Sequence, residues 1–336
     1  MKATFKVAIM GTRGLVGNIV YKKLKSQKNN YNIITIKTTH QLTQLTPKTP
    51  VIFCKEKQEA LTTFKILKQH QWNGYWIDAS SCFRQCKKAL IVLDPINKKE
   101  ILKHIKTNKI LCGGNCTVNI LLLAIAKLIK KNSISQITCV TFQAISGLGY
   151  KKATEILETT KNLLKNPLAK LITHKLKNKF KNTLSLEPWI GENMHTPEEE
   201  TKTKQETNKI IKPLHHKQIK IHSTCVRVNV IRCHTLAITL TLTQATTKHT
   251  LITTLKNHKI VKIIPNNKQA TQTYLNPNTV AGTKKIYIGR IRKLNPYTYS
   301  MIIIGDQLIW GASEPLIRTL KIIRKYENKN MRHKNN

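Results

Sequence analysis

FKVAIMGTRGLVG, residues 5 to 17, constrains the fold more than any other stretch of the chain. A strand-like run, Phe5 to Met10, gives way to Gly11, Gly14 and Gly17, and a helical pattern runs from Leu15 to Lys25. A strand that turns tightly through glycines into a helix opens a βαβ unit, and its glycines let backbone N–H groups approach a pyrophosphate at the helix N-terminus. Arg13, Leu15 and Val16 lie in the same turn. Short apolar runs recur at 32–37, 51–53, 75–77 and 90–93, with helical or turn-rich stretches between them. Strand-helix alternation predicts a parallel, doubly wound sheet.

The predicted architecture is therefore an α/β Rossmann-type dinucleotide-binding domain followed by an α+β domain. NAD-binding chains place an acid at the end of the second strand to hold the ribose 2′-hydroxyl. Here that end reads Lys37-Thr38-Thr39-His40, and Arg13 sits in the glycine turn, which suits a 2′-phosphate and favours NADP. After residue 116 the texture changes. An apolar helix is expected over 118–128, a strand over 136–146 and a helix over 151–164. A lysine-rich stretch spans 168–220, with a loop near 189–200. Residues 226–242 and 285–294 alternate like a mixed or antiparallel sheet with one solvated face. Ser313-Glu314-Pro315 starts a last helix through about Tyr326, with proline suited to its first turn. The expected domains are 1–114 with 314–336, and 115–313 for catalysis and dimerisation.

Charge enters at this point. The chain has 336 residues and a net charge of +42, from 58 Lys plus Arg against 16 Asp plus Glu. Only nine of the 58 are Arg, whose planar fork favours phosphate and base recognition. The lysines are scattered, and Lys, Asn, Ile, Thr and Gln are inflated together as biased mutation would inflate them. No specific nucleic-acid partner is expected. No window of ~18 apolar residues offers a membrane span. With no apolar signal segment at residues 1–14, the eight cysteines point to a reducing cytoplasm and not to a disulfide framework. Only three aspartates survive, Asp78, Asp94 and Asp306.

CGGNCTVNI, residues 112 to 120, holds the candidate nucleophile. Cys82-x3-Cys86 and Cys112-x3-Cys116 lack the tight spacing of zinc pairs, so no metal is expected. Cys116 lies between a Gly113-Gly114-Asn115 turn and an apolar helix. The dipole and open N–H groups of a helix N-terminus stabilise a thiolate there. Local features leave Cys116 open between nucleophile and packing, whereas Cys112 on its strand reads as packing. Candidate partners are Gln143, Glu206 with Lys209 on one helical face, Arg227 and His234. Arg227 and His234 are seven residues apart, which perfect alternation puts on opposite faces, so serving one pocket requires a bulge or turn between them.

GTRGLVG, QWNGYWIDASSCFR, LDPIN, GGNCTVN, FQAISG, QETNKI, CVRV, RCHT, GRIRKLN and GDQLIWGASEPLIR together resemble the bacterial aspartate-semialdehyde dehydrogenase family over essentially the whole chain. The resemblance implies a cytoplasmic homodimer that uses NADPH to convert L-aspartyl-4-phosphate to the semialdehyde, a step toward lysine through diaminopimelate, threonine and methionine. It makes Cys116 the nucleophile and His234 the acid/base. Arg84 and Lys209 would hold phosphate. Arg227 would grip the substrate carboxylate and Glu206 its ammonium. Gln143 would orient the acyl group, with Asn115 beside the nucleophile. Gly11, Arg13, Gly14, Leu15, Val16, Gly17, Thr39, His40, Ser146, Gly147 and Gln307 would touch NADP. A thiolate expels phosphate to leave a thioester, and hydride then gives the aldehyde. Three stretches depart from the family pattern: Cys54-Lys55-Glu56-Lys57 replaces a glycine-rich stretch, Leu148 stands where a glycine is expected, and the segment 168–200 is shortened and divergent. The alternative reading is an N-acetylglutamyl-phosphate reductase. The set of Glu206, Lys209 and Arg227 argues for a free amino acid instead.

Overall fold

The computed structural model describes residues 4–131, 133–165, 183–191, 193–215 and 218–332. Of the lysine-rich stretch 168–220, residues 168–182, 192, 216 and 217 lie outside them. The chain divides into two compact units, 1–126 with 206–217 and 308–336, and 127–205 with 218–307. Residues 115–126, 206–217 and 308–313, read on sequence with the second domain, pack within the first unit.

The first unit is built on six parallel strands in the order β2-β1-β3-β4-β6-β5. They are β1 (Phe5–Met10), β2 (Tyr31–Ile36), β3 (Val51–Phe53), β4 (Trp76–Asp78), β5 (Ala89–Val92) and β6 (Ile110–Gly113). Period-two alternation explains why these strands read as nearly continuous apolar runs. Val7, Ile9, Ile52, Ile77 and Leu111 enter the core on one face, together with Leu316, Leu320 and Ile323 of the last helix. Ala8, Met10, Phe53, Trp76 and Cys112 enter the core on the other. Cys112 is thus packing material, fully buried.

The last helix, Glu314–Arg332, runs beyond the expected end at Tyr326. The guanidinium of Arg318 pairs with the Asp94 carboxylate, its Nη2 donating at 2.6 Å, and so ties this helix to the helix Asp94–Thr107. Asp78 is spent locally. Its carboxylate accepts from the Ser80 amide at 2.7 Å and the Trp76 indole at 3.2 Å. Burial pushes its pKa up, and these hydrogen bonds work against that rise.

The second unit is a seven-stranded mixed sheet in the order β11-β12-β13-β10-β7-β9-β8. Its strands are β7 (Ile134–Ala144), β8 (Leu186–Glu187), β9 (Lys220–Val228), β10 (His234–Leu242), β11 (Val261–Ile263), β12 (Ile286–Lys293) and β13 (Thr298–Gly305). β7 pairs parallel with β9 and β11 with β12; the other pairings are antiparallel. Alternation gives β10 a buried row, Leu236, Ile238 and Leu240, and a half-exposed row, Thr235, Ala237, Thr239 and Thr241. In register, Ala237 lies between Val140 and Ile302, and Thr239 between Thr138 and Ser300. Among the described residues no helix is long and apolar enough to cross a membrane.

The glycine turn is set by packing. Gly11 has φ +91°, and a Cβ there would lie 2.5 Å from the Cys54 carbonyl oxygen. A Cβ on Gly17 would lie 2.1 Å from the Gly11 carbonyl oxygen, because the first helix is pressed onto the turn. Gly14 differs: its Cβ would meet nothing closer than 3.5 Å. Gly17→Ala should therefore cost about 3 kcal/mol of folding stability by denaturant titration, whereas Gly14→Ala should change it by less than about 1 kcal/mol.

Candidate functional site

The helix that carries Cys116 starts at that residue and runs to Ala124, two residues earlier than the sequence pattern indicates. Asn115 is its N-cap. The Asn115 side-chain oxygen accepts from the Thr117 amide at 2.9 Å and the Thr117 hydroxyl at 2.6 Å. The Cys116 sulfur, half-buried, thus belongs to the first turn of a capped helix. A residue the sequence reading passed over fixes this turn from below. Asn119 is fully buried, and its amide donates to the carbonyls of Gly114 at 3.4 Å, Trp310 at 3.3 Å and Gly311 at 3.3 Å. A Cβ on Gly114 would lie 2.5 Å from the Asn119 side-chain oxygen, so glycine is needed there. The available signal was one amide in an otherwise apolar helical run.

Glu206 and Lys209 lie on the helix Glu198–Ile211, and the first unit contains both. Glu206 is 1% exposed, and both of its carboxylate oxygens are engaged. One accepts from Arg84 Nη1 at 3.1 Å and the other from the Asn115 amide at 2.6 Å. Lys209 donates to the carbonyls of Arg84 at 2.6 Å and Cys86 at 3.0 Å. Burial lowers its pKa. Arg84 is held by its own backbone, by Glu206 and by a longer contact to the Ala79 carbonyl, 3.4 Å. Its Nε–H is buried without an acceptor among the described residues. Arg84, Glu206, Lys209 and Asn115, the residue before Cys116, are therefore joined through one carboxylate and one ammonium.

In the second unit the parity problem between Arg227 and His234 is resolved by topology. The two residues stand on β9 and β10, strands that do not neighbour each other, because β7 lies between them. The connection 229–233 crosses the end of β7. Val230 and Ile231 accept from the amides of Ile145 at 2.9 Å and Ser146 at 3.3 Å, and Cys233 takes φ +76°. Gln143 on β7 is paired in register with Arg227, whose Nη1 donates to the Ala144 carbonyl at 3.1 Å and lies 3.5 Å from the Gln143 side-chain oxygen. Gln307 accepts from the Cys233 amide at 2.7 Å and donates to the Ser146 hydroxyl, which donates in turn to the Ile231 carbonyl. Asp306 holds Gly282 and Arg232, at 2.7 and 2.8 Å.

His234 is fully buried, and its Nδ1 accepts from the Ala144 amide at 3.0 Å. An amide only donates, so Nδ1 is unprotonated and the neutral ring carries its proton on Nε2. Burial, with the nearby Arg227 charge, lowers its pKa to about 3. Gly147 packs beside the ring. A Cβ there would lie 3.0 Å from Arg227 Nη1 and 3.5 Å from the imidazole Cε1. A cavity of about 290 Å³ is bordered by Leu148, Lys152, Glu187, Arg227 and Asn229. Leu148 therefore shares a cavity wall with Arg227.

The expected dinucleotide contacts sit at the glycine turn and the end of β2. The helix Leu15–Lys25 has no side-chain cap and no acid in its first turn. Arg13, Thr39 and His40 are exposed. Lys55 lies against the turn, its Cγ 3.1 Å from the Cβ position of Gly11, and its ammonium pairs with Glu59. Among the described residues no group of three or more His, Cys, Asp or Glu is placed to hold a metal ion.

Residues 125–310 match the family model of the semialdehyde dehydrogenase dimerisation domain. The structure is similar to an aspartate semialdehyde dehydrogenase from Francisella tularensis, at 32% identity over 96% of this chain and 100% of that one, with a TM-score of 0.87. It shares its fold with aspartate semialdehyde dehydrogenase II from Vibrio cholerae, at TM-score 0.79 and 19% identity over 96% and 99% of the two chains. It also shares its fold with the Candida albicans enzyme determined with NADP, at TM-score 0.67 and 16% identity over 96% and 100%.

The His234 ring makes a pH prediction. With a folded pKa near 3 against 6.5 for the free side chain, the unfolded chain binds the extra proton. This contribution to stability is complete above pH ~6.5 and is lost as pH falls from ~6.5 toward ~3, up to about 5 kcal/mol by linkage. Urea titrations from pH 7 to pH 4 should show His234→Asn losing measurably less stability over that window than the parent chain.

Proposed function

The chain belongs to the aspartate-semialdehyde dehydrogenase family, and from that premise we propose that it reduces L-aspartyl-4-phosphate to L-aspartate 4-semialdehyde with NADPH through a thioester on Cys116. The observation that carries this reading is the capped helix start at Cys116, whose preceding amide and neighbouring arginine are fixed by one buried carboxylate. The open N–H groups of that first turn favour a thiolate, which attacks the acyl carbonyl and releases phosphate. Arg84 receives the phosphate. Its unbonded Nε–H is a donor that an incoming oxyanion would satisfy, which removes the cost of leaving it buried and unpaired. Glu206 and Lys209 act as positioning residues. Their polar groups are spent on Arg84, on the Asn115 amide and on the 84–86 backbone.

Arg227 holds the substrate carboxylate in the cavity it borders, and Gln143 beside it orients the acyl group. His234 presents Nε2–H, the tautomer that donates toward an acyl or aldehyde oxygen. A dinucleotide fits the glycine turn on the geometry of this chain. Gly14 is open, the first turn of the helix lacks an acid, and Arg13, Thr39 and His40 are exposed beside a strand end without a carboxylate, as a 2′-phosphate requires. When bound, NADPH supplies the hydride. Ser146, Gly147 and Gln307 would also touch it.

The half-exposed row of β10 supports a homodimer. Ala237, Val140 and Ile302 form an apolar strip flanked by threonines on a sheet face, and a second copy burying it would remove it from water.

The test is phosphate-dependent reduction of NADP with aspartate semialdehyde. Cys116→Ser should lower kcat more than about a thousandfold. Arg227→Ala should raise KM roughly 10–100-fold, the worth of a charge-assisted grip, and change kcat less. Mass spectrometry of enzyme quenched during turnover should show an acyl adduct on Cys116. Activity with N-acetylglutamate semialdehyde alone would overturn the substrate assignment. On gel filtration at moderate salt, Ala237→Lys should convert the dimer to monomer; an unchanged elution position would place the interface elsewhere.

A further inference from the structure

A groove of about 1150 Å³ lies between the helices Asp94–Thr107 and Glu314–Arg332, away from every residue discussed above as a site. One rim carries Lys98 and Lys106, eight residues apart on the first helix. The other carries Lys321, Lys325 and Lys329, each four residues after the last. Residues four apart on a helix stand about 6 Å from each other along one face, so each helix presents a row of cations to the groove. All five lysines are exposed, and none takes part in an ion pair among the described residues. The one carboxylate lining the groove, Asp94, is occupied by Arg318. Leu102 stands in the row of Lys98 and Lys106, and the apolar lining between the rows comes from Tyr31, Ile322 and Tyr326.

The lysine excess of the whole chain does not select this place; the arrangement does. Two facing rows of unpaired cations about an apolar, aromatic floor match what a single nucleic-acid strand presents, a line of phosphates with unstacked bases beside it. A duplex offers phosphates alone and would leave the floor unused. A free phosphate would engage one or two lysines and leave the remainder of the row idle. We propose that the groove between these two helices binds single-stranded nucleic acid, the lysine rows following its phosphates and the floor taking its bases, without base preference. The binding is separate from the reductase reaction, since no residue of the groove belongs to the proposed active site.

The experiment is fluorescence anisotropy with a labelled 12-residue oligouridylate across a salt series. The full chain is compared with two fourfold variants of equal charge. One removes four of the five groove lysines, Lys98→Gln, Lys321→Gln, Lys325→Gln and Lys329→Gln. The other removes exposed lysines of the second unit, Lys151→Gln, Lys161→Gln, Lys248→Gln and Lys256→Gln. The groove variant should bind at least about tenfold more weakly at 0.15 M salt, and its log–log salt slope should fall by about 3. The control should change less than about twofold, and both should retain reductase activity. Equal weakening of the two variants would overturn the proposal, because bulk charge would then explain the binding. So would competition by a duplex of equal length as strong as that by the single strand. Groove-dependent binding to vesicles containing phosphatidylserine, with no oligonucleotide binding, would overturn it in favour of a lipid surface.

Discussion

Glu206 holds two parts of the first unit in register. A carboxylate withdrawn from water is costly unless its charge is met. Here it is met by a guanidinium on one oxygen and a backbone amide on the other. The cost of burial becomes a means of precision, because any drift of Arg84 or of the turn before Cys116 would strand a charge. Lys209, three residues along the same helix, fixes the carbonyls of residues 84 and 86 in the same manner. Acid and base on one helical face thus pin a loop and a helix start that are far from them, and from each other, in the chain.

Much of this was legible in the residues. The first unit announces itself because parallel strands covered on both faces need apolar residues at every position, and Val7 to Met10 and Val51 to Phe53 supply them. The face shared by Glu206 and Lys209 follows from helical spacing alone. The packing role of Cys112 follows from its place on a strand.

What the residues did not disclose is what depends on strand order. Spacing along the chain sets Arg227 and His234 at odds, and no local pattern says that a third strand is threaded between theirs. Nor does a pattern reveal what a polar side chain will be used for. The family resemblance makes Glu206 and Lys209 ligand grips, yet in the fold their polar groups are turned on the protein itself. Asn119 went unnoticed because helical periodicity records a lone amide as noise, although it fastens three carbonyls. The three aspartates show the opposite case. Scarcity marked them, and each holds an internal joint: a turn after β4, a helix pair, and the loop at Gly282 with Arg232.

The threading of β7 between β9 and β10 has a kinetic corollary. Strand β7 is complete by residue 144, yet its parallel partner begins at residue 220 and its antiparallel partner at 234. A nascent or refolding chain must carry β7 with both edges open until that distant segment arrives, and loop-closure entropy makes such arrival slow. Open edges invite pairing with other copies. A net charge of +42 opposes such encounters between copies, so the same lysines that weaken the compact state by mutual repulsion also guard the chain while its sheet is unfinished.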